Sequence, residues 1–184
     1  MLESNTSTLL VLGGARSGKS TFAEARLAAL GVQFGLQKVY LATATAGDAE
    51  MRARIADHRA RRGPDWRAVE EPLELVDALQ QNATRACAVL VDCLTLWLSN
   101  LMHAGRDPEQ EARRLVAWLA TAPGPVVLVS NEVGLGLVPE TPLGRSFRDA
   151  QGRLNQQVAA AVSDVAFVAA GLPLWLKRAG VASE

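Results

Sequence analysis

Two stretches of this sequence carry residue types that could work on phosphate. Residues 13–20 read GGARSGKS and match G-x-x-x-x-G-K-[ST]. Glycines there let the backbone wrap closely, so that successive N–H groups of Gly13, Gly14, Ala15, Arg16, Ser17 and Gly18 converge on an oxyanion. Lys19 would reach the β- and γ-phosphates, and the Ser20 hydroxyl would ligate Mg²⁺. The second stretch, RIADHRARRG (54–63), sets His58 among Arg54, Arg59, Arg61 and Arg62. So many cations in one segment suit an anionic ligand. The histidine among them could be a packed bystander, a proton carrier or a nucleophile.

A third acid belongs with the first stretch. The apolar run AVLVD (88–92) ends in Asp92, the usual place for a carboxylate that holds magnesium directly or through water. Together these residues imply nucleoside triphosphate binding, which by itself leaves kinase, switch, motor and synthetase open. The chain has no N-K-x-D base-reading motif. Its DAQG (149–152) falls inside an expected helix and is discounted as a switch.

The elements that must position these residues alternate along the chain. Apolar runs at 8–12, 38–44, 87–95 and 125–133 read as strands, as do DVAFVAAG and PLWLK near the end. Helical stretches are expected from Ser20 to about Leu30, then over 48–62, 73–81, from LWLSNLM, over 108–121 and over 147–163. GLGLVPETPLG (134–144) is the one long irregular loop. Alternation of this kind predicts a single α/β domain of P-loop NTPase type, spanning 1–184: a mostly parallel sheet with helices on both faces. Residues 1–7 are expected to be a flexible extension. On a helix over 48–62, Met51, Ile55 and His58 share a face, with Arg54 and Arg62 one turn away on either side.

Composition limits the partners. The chain has 184 residues, 49% of them apolar, and a formal net charge of zero, so bulk charge gives no pull toward nucleic acid. The apolar stretch 158–176 is broken by Ser163-Asp164 and Gly171-Leu172-Pro173. It reads as a helix end, a strand, a tight turn and a second strand rather than a membrane span. No signal peptide is legible, so a cytoplasmic location is expected. Cys87 and Cys93 would share a face if their run stayed extended. They cannot bridge each other within one strand and read as buried free thiols.

In order along the chain come GGARSGKS, YLATA, EMRARIADHRARRGPDWRAVEEP, VLVDCLTLWLSNL and VVLVSNEVGLGLVPETPLGRSFRDAQGRLNQ. From about Leu9 to Lys177 the sequence resembles the bifunctional adenosylcobinamide kinase / adenosylcobinamide-phosphate guanylyltransferase family. That resemblance implies two reactions. ATP or GTP phosphorylates the aminopropanol hydroxyl of adenosylcobinamide. GTP then gives GMP to a histidine, here His58, and adenosylcobinamide phosphate takes it up as adenosylcobinamide-GDP. The resemblance also implies nucleotide contacts at Ala42, Thr43, Ala44, Arg59, Ala60, Arg61, Arg62, Glu70 and Asp92, and a homo-oligomer, a trimer in similar proteins.

A difficulty of geometry comes with it. The P-loop centres on the β- and γ-phosphates, whereas guanylylation attacks the α-phosphate, so either the nucleotide shifts or His58 approaches from another side. Two other readings compete: a plain small-molecule kinase with His58 merely packed, and a non-catalytic GTP-binding regulatory module.

Overall fold

The computed structural model describes residues 7–44, 63 and 65–179. The expected helix over 48–62, with His58, Arg59, Ala60, Arg61 and Arg62, lies outside the described residues. The strands are β1 (Thr8–Gly13), β2 (Gln37–Ala42), β3 (Trp66–Glu70), β4 (Cys87–Asp92), β5 (Val126–Asn131), β6 (Asp164–Ala169) and β7 (Leu172–Lys177). The described helices are α1 (Lys19–Phe34), α2 (Leu75–Asn82), α3 (Leu94–His103), α4 (Pro108–Leu119) and α5 (Pro142–Ala161).

The strands form one sheet in the order β3-β2-β4-β5-β1-β6-β7. Every pairing is parallel except β6 with β7, which run antiparallel. The central strands are apolar on both faces, because helices cover both. Alternate residues of β1 divide between two cores. Leu10 and Leu12 pack with α2 to α5, and Leu9 and Val11 pack with Ala23 and Leu27 of α1. Trp97 of α3 is fully buried, and its indole N–H donates to Leu73 O at 2.9 Å. That bond lets the largest side chain enter the core without stranding its polar atom.

Three boundaries differ from the sequence-based expectation. β3 was not expected: three of its five residues are exposed, so the run WRAVE lacks a clean apolar alternation. It is an edge strand, held through its pairing with β2 and by Arg67 donating to Asn82 Oδ1 at 2.6 Å. α5 begins at Pro142, five residues before the expected start. Thr141 caps it by accepting from Gly144 N at 3.1 Å, and Pro142 occupies the first turn, where its missing N–H costs nothing. The helix thus claims the last residues of the predicted 134–144 loop. β4 stops at Asp92, and Cys93 caps α3, so the condition for the two cysteines sharing a face fails. Cys87 packs in the α2–α5 core and Cys93 in the α1 core, both buried and free.

The end of the chain follows expectation. Ala170 and Gly171, both with positive φ, make a two-residue hairpin turn between β6 and β7. Lys177 then donates to Ala159 O, Ala160 O and Val162 O, satisfying the last carbonyls of α5 with a cation. Ser7, counted in the expected extension, already accepts from Val126 N. No helix among the described residues is long and apolar enough to cross a membrane.

Candidate active site

The P-loop leaves β1 at the carboxyl edge of the sheet and turns into α1. A Cβ on Gly13 would stand 2.5 Å from Val168 O and 2.6 Å from Ser17 Oγ, so only glycine fits. Arg16 and Gly18 take the left-handed conformation, with φ of 56° and 94°. Gly18 caps α1 and brings no side chain of its own to accept from the helix's first amides. Those N–H groups and the positive end of the helix dipole therefore face the loop's concavity, the arrangement that holds phosphate. Lys19 Nζ is folded onto the loop, donating to Gly14 O at 3.0 Å. Ser20 sits beside it in the first turn. Ala15 is exposed at the tip, and the buried Ser17 hydroxyl has no hydrogen-bond partner among the described residues.

The β6–β7 turn braces this loop. Gly171 N donates to Ser17 O at 2.8 Å, and a Cβ on Gly18 would come within 3.0 Å of Gly171 Cα. Nothing in the sequence pointed to the hairpin turn as part of the cradle.

Strand register brings a second group together. Ala42 pairs with Glu70 on one side and with Asp92 on the other, so Glu70, Ala42 and Asp92 form one row across three parallel strand ends. Glu70 is exposed; Asp92 is half-buried. Asp92 Oδ2 accepts from the Tyr40 hydroxyl at 2.9 Å. Leu90 lies in the α1-side core, and Asp92, two residues on, points to that same face, which carries Lys19 and Ser20. The neighbouring Cys93 thiol is pushed up to about 11, chiefly by burial and next by the Asp92 charge, with Lys19 acting in the opposite direction. Ala44 is the last described residue before the segment with His58.

Thr43 is fully buried. Its hydroxyl donates to Cys93 O at 2.7 Å and accepts from Cys93 N at 3.0 Å. Its backbone N donates to Asp92 O, and its carbonyl accepts from Asn100 Nδ2.

The strand order adds one fact that the sequence hid. β4 does not neighbour β1; β5 lies between them. The end of β5 therefore adjoins the P-loop directly: Asn131 pairs with Gly13, and Glu132 N donates to Gly13 O at 3.1 Å. Glu132 Oε1 accepts from Gly134 N, which turns the chain as it leaves the strand. Glu132 has no role legible in the sequence, because a strand's neighbours are not visible in its own residues.

Comparisons with known proteins bear on the family and the fold. The sequence profile of a family described as cobinamide kinase / cobinamide phosphate guanyltransferase matches residues 9–176. The bifunctional adenosylcobalamin biosynthesis protein CobP of Pseudomonas aeruginosa is 51% identical over 171 residues, covering 91% of this chain and 96% of that protein. The bifunctional adenosylcobalamin biosynthesis protein CobU of Escherichia coli is 39% identical over 184 residues, covering 92% of this chain and 99% of that protein. Among solved structures, the flagellar accessory protein FlaH of Methanocaldococcus jannaschii aligns with a TM-score of 0.56 at 14% identity, covering 94% of this chain and 79% of that one. That likeness speaks for the fold alone. The chain belongs to the cobinamide kinase / cobinamide phosphate guanyltransferase family and is a bifunctional enzyme of that class.

Proposed function

We propose that this enzyme phosphorylates the aminopropanol hydroxyl of adenosylcobinamide and then transfers GMP from GTP to the product through a covalent His58–GMP intermediate, giving adenosylcobinamide-GDP. The family match over residues 9–176 carries this reading, because it spans both the P-loop and the His58 segment. It favours two activities over the plain kinase and the regulatory module.

In the kinase step the hydroxyl oxygen attacks the γ-phosphorus, the bond to the bridging oxygen breaks, and the nucleoside diphosphate leaves. The P-loop amides and Lys19 hold the phosphates, and positioning supplies most of the acceleration. Glu132, which β5 carries to the cradle, is the carboxylate suited to take the hydroxyl proton. In the transfer step an imidazole nitrogen of His58 attacks the α-phosphorus and pyrophosphate leaves. A phosphate oxygen of adenosylcobinamide phosphate then displaces the imidazole. Arg59, Arg61 and Arg62 would offset charge on the phosphate oxygens during both displacements. Ala42, Ala44 and Glu70 would line the nucleotide's side of the sheet edge, and Thr43, fully buried against Cys93, would stand behind them rather than touch the nucleotide as the family resemblance implies.

The donor set fits magnesium. Ser20 and Asp92 offer hard oxygens, and no group of three or more His, Cys, Asp or Glu that could hold a metal occurs among the described residues. Mg²⁺ takes one or two carboxylates and completes its shell with phosphate oxygens and water, so a sparse site suits it better than a caged one. When bound, it would neutralise charge on the phosphate oxygens. We further propose that the enzyme works in the cytoplasm as a homo-oligomer, a trimer on the family resemblance.

The test follows two labels into product. With adenosylcobinamide, γ-labelled nucleotide should yield labelled cobinamide phosphate, and α-labelled GTP should yield labelled adenosylcobinamide-GDP. His58→Ala should keep the first and lose the second. Loss of neither, or α-label transfer that survives the substitution, would refute the histidine route. Glu132→Gln should slow the kinase step while leaving GMP transfer to supplied cobinamide phosphate intact.

A further inference from the structure

Strand β2 does more than carry the row of strand ends. We propose that Tyr40 and Thr43 are positioning residues that together fix the carboxylate of Asp92 for metal binding. The inference rests on the reading of Asp92 as the magnesium carboxylate.

Tyr40 is 6% exposed and lies in the α1-side core with Leu90, its register partner. Its ring runs along that face toward the carboxyl edge, where the hydroxyl meets Asp92 Oδ2 at 2.9 Å. This charged acceptor offsets the cost of taking a phenol hydroxyl partly out of water. The bond removes rotational freedom from the carboxylate and sets which oxygen faces Oη.

Thr43 fixes the backbone of the same residue. Its N–H holds Asp92 O, and its hydroxyl grips both polar groups of Cys93. The main chain of Asp92 and Cys93 is thus tied at three atoms to the buried Thr43 side chain and its amide. One strand therefore clamps Asp92 from both ends, carboxylate and main chain. Partners that orient a ligating carboxylate in this way typically govern metal affinity by about 10- to 100-fold. On this account Thr43 acts on the nucleotide through Asp92 rather than by touching it.

The test measures metal affinity without turnover. Equilibrium binding of a non-hydrolysable GTP analogue is followed across a Mg²⁺ titration, and Mn²⁺ binding to the protein–analogue complex is followed by electron paramagnetic resonance. Tyr40→Phe keeps the ring and removes only the hydroxyl. It should raise the Mg²⁺ half-saturation and weaken Mn²⁺ binding about tenfold, with analogue binding in EDTA unchanged. Thr43→Val should move metal affinity the same way, and Thr43→Ser should restore it. Asp92→Asn distinguishes the metal role from the clamp. If it weakens metal binding while Tyr40→Phe leaves both titrations at the parent values, the clamp is refuted and the metal role stands. If Asp92→Asn itself leaves metal binding unchanged, the metal role falls and the clamp falls with it.

Discussion

Asn155→Ala should cost this enzyme much more than a typical helix substitution. The Asn155 side chain is 5% exposed and makes three hydrogen bonds. Its Oδ1 accepts from the Ser130 hydroxyl at 2.7 Å and from Gln151 Nε2 at 2.9 Å, and its Nδ2 donates to Asn131 O at 3.0 Å. Ser130 and Gln151 are fully buried. After truncation Gln151 Nε2 retains Ser130 Oγ as acceptor, at 3.0 Å. The Ser130 hydroxyl proton and Asn131 O each lose the Asn155 partner. At about 1–3 kcal/mol for the stranded buried hydroxyl, and less for the half-buried Asn131 carbonyl, the loss should be roughly 3 kcal/mol. For a chain of this length that lowers Tm by about 6–12 °C. Urea unfolding and calorimetry would measure it, with Arg153→Ala as control. The Arg153 side chain is 58% exposed, and its change should stay within about 0.5 kcal/mol. Because Asn131 pairs with Gly13 of the P-loop, GTP affinity should fall as well. A stability change below about 1 kcal/mol would refute the claim that this network ties α5 to the end of β5.

Three other predictions concern single groups. Gly18→Ala forces a side chain into φ of 94° and against the Gly171 backbone, so GTP affinity in a calorimetric titration should drop about tenfold or more. The hydrogen bond from Arg106 holds the Glu74 carboxyl below its ordinary 4.5. The folded value lies below the unfolded one, so this contribution is complete above about pH 4.5 and lost as pH falls through the folded value. Glu74→Gln should therefore flatten the acid limb of a stability profile, modestly, since the side chain is 43% exposed. Cys93, its thiol pushed up to about 11 by burial, should resist alkylation at neutral pH until the protein is unfolded by urea, as mass spectrometry would show.

The parts of this account that were legible in the sequence are those written in local order. GGARSGKS between an apolar strand and a helix announces a phosphate cradle, and AVLVD announces its carboxylate. The alternation of elements announces a parallel sheet. Sheet order was not legible, because β5 enters between β1 and β4 through contacts distant in sequence. Glu132 went unassigned for that reason. Tyr40 reads in sequence as one more apolar strand residue, and only register sets its hydroxyl against Asp92. β3 was missed because an exposed edge strand carries no apolar alternation. The early start of α5 was in fact signalled by Thr141-Pro142, a cap followed by a helix-opening proline, but the surrounding Gly, Leu and Pro residues read as loop.

The central claim is that His58 carries GMP. The most direct measurement incubates the protein with Mg²⁺ and GTP labelled at the α- or the γ-phosphate, then denatures it and counts label retained on the chain. α-Label alone is expected, labile in acid and stable in alkali as a phosphoramidate is, and absent from His58→Ala. Protein that phosphorylates adenosylcobinamide yet retains no α-label would contradict it and leave a kinase in which His58 only packs.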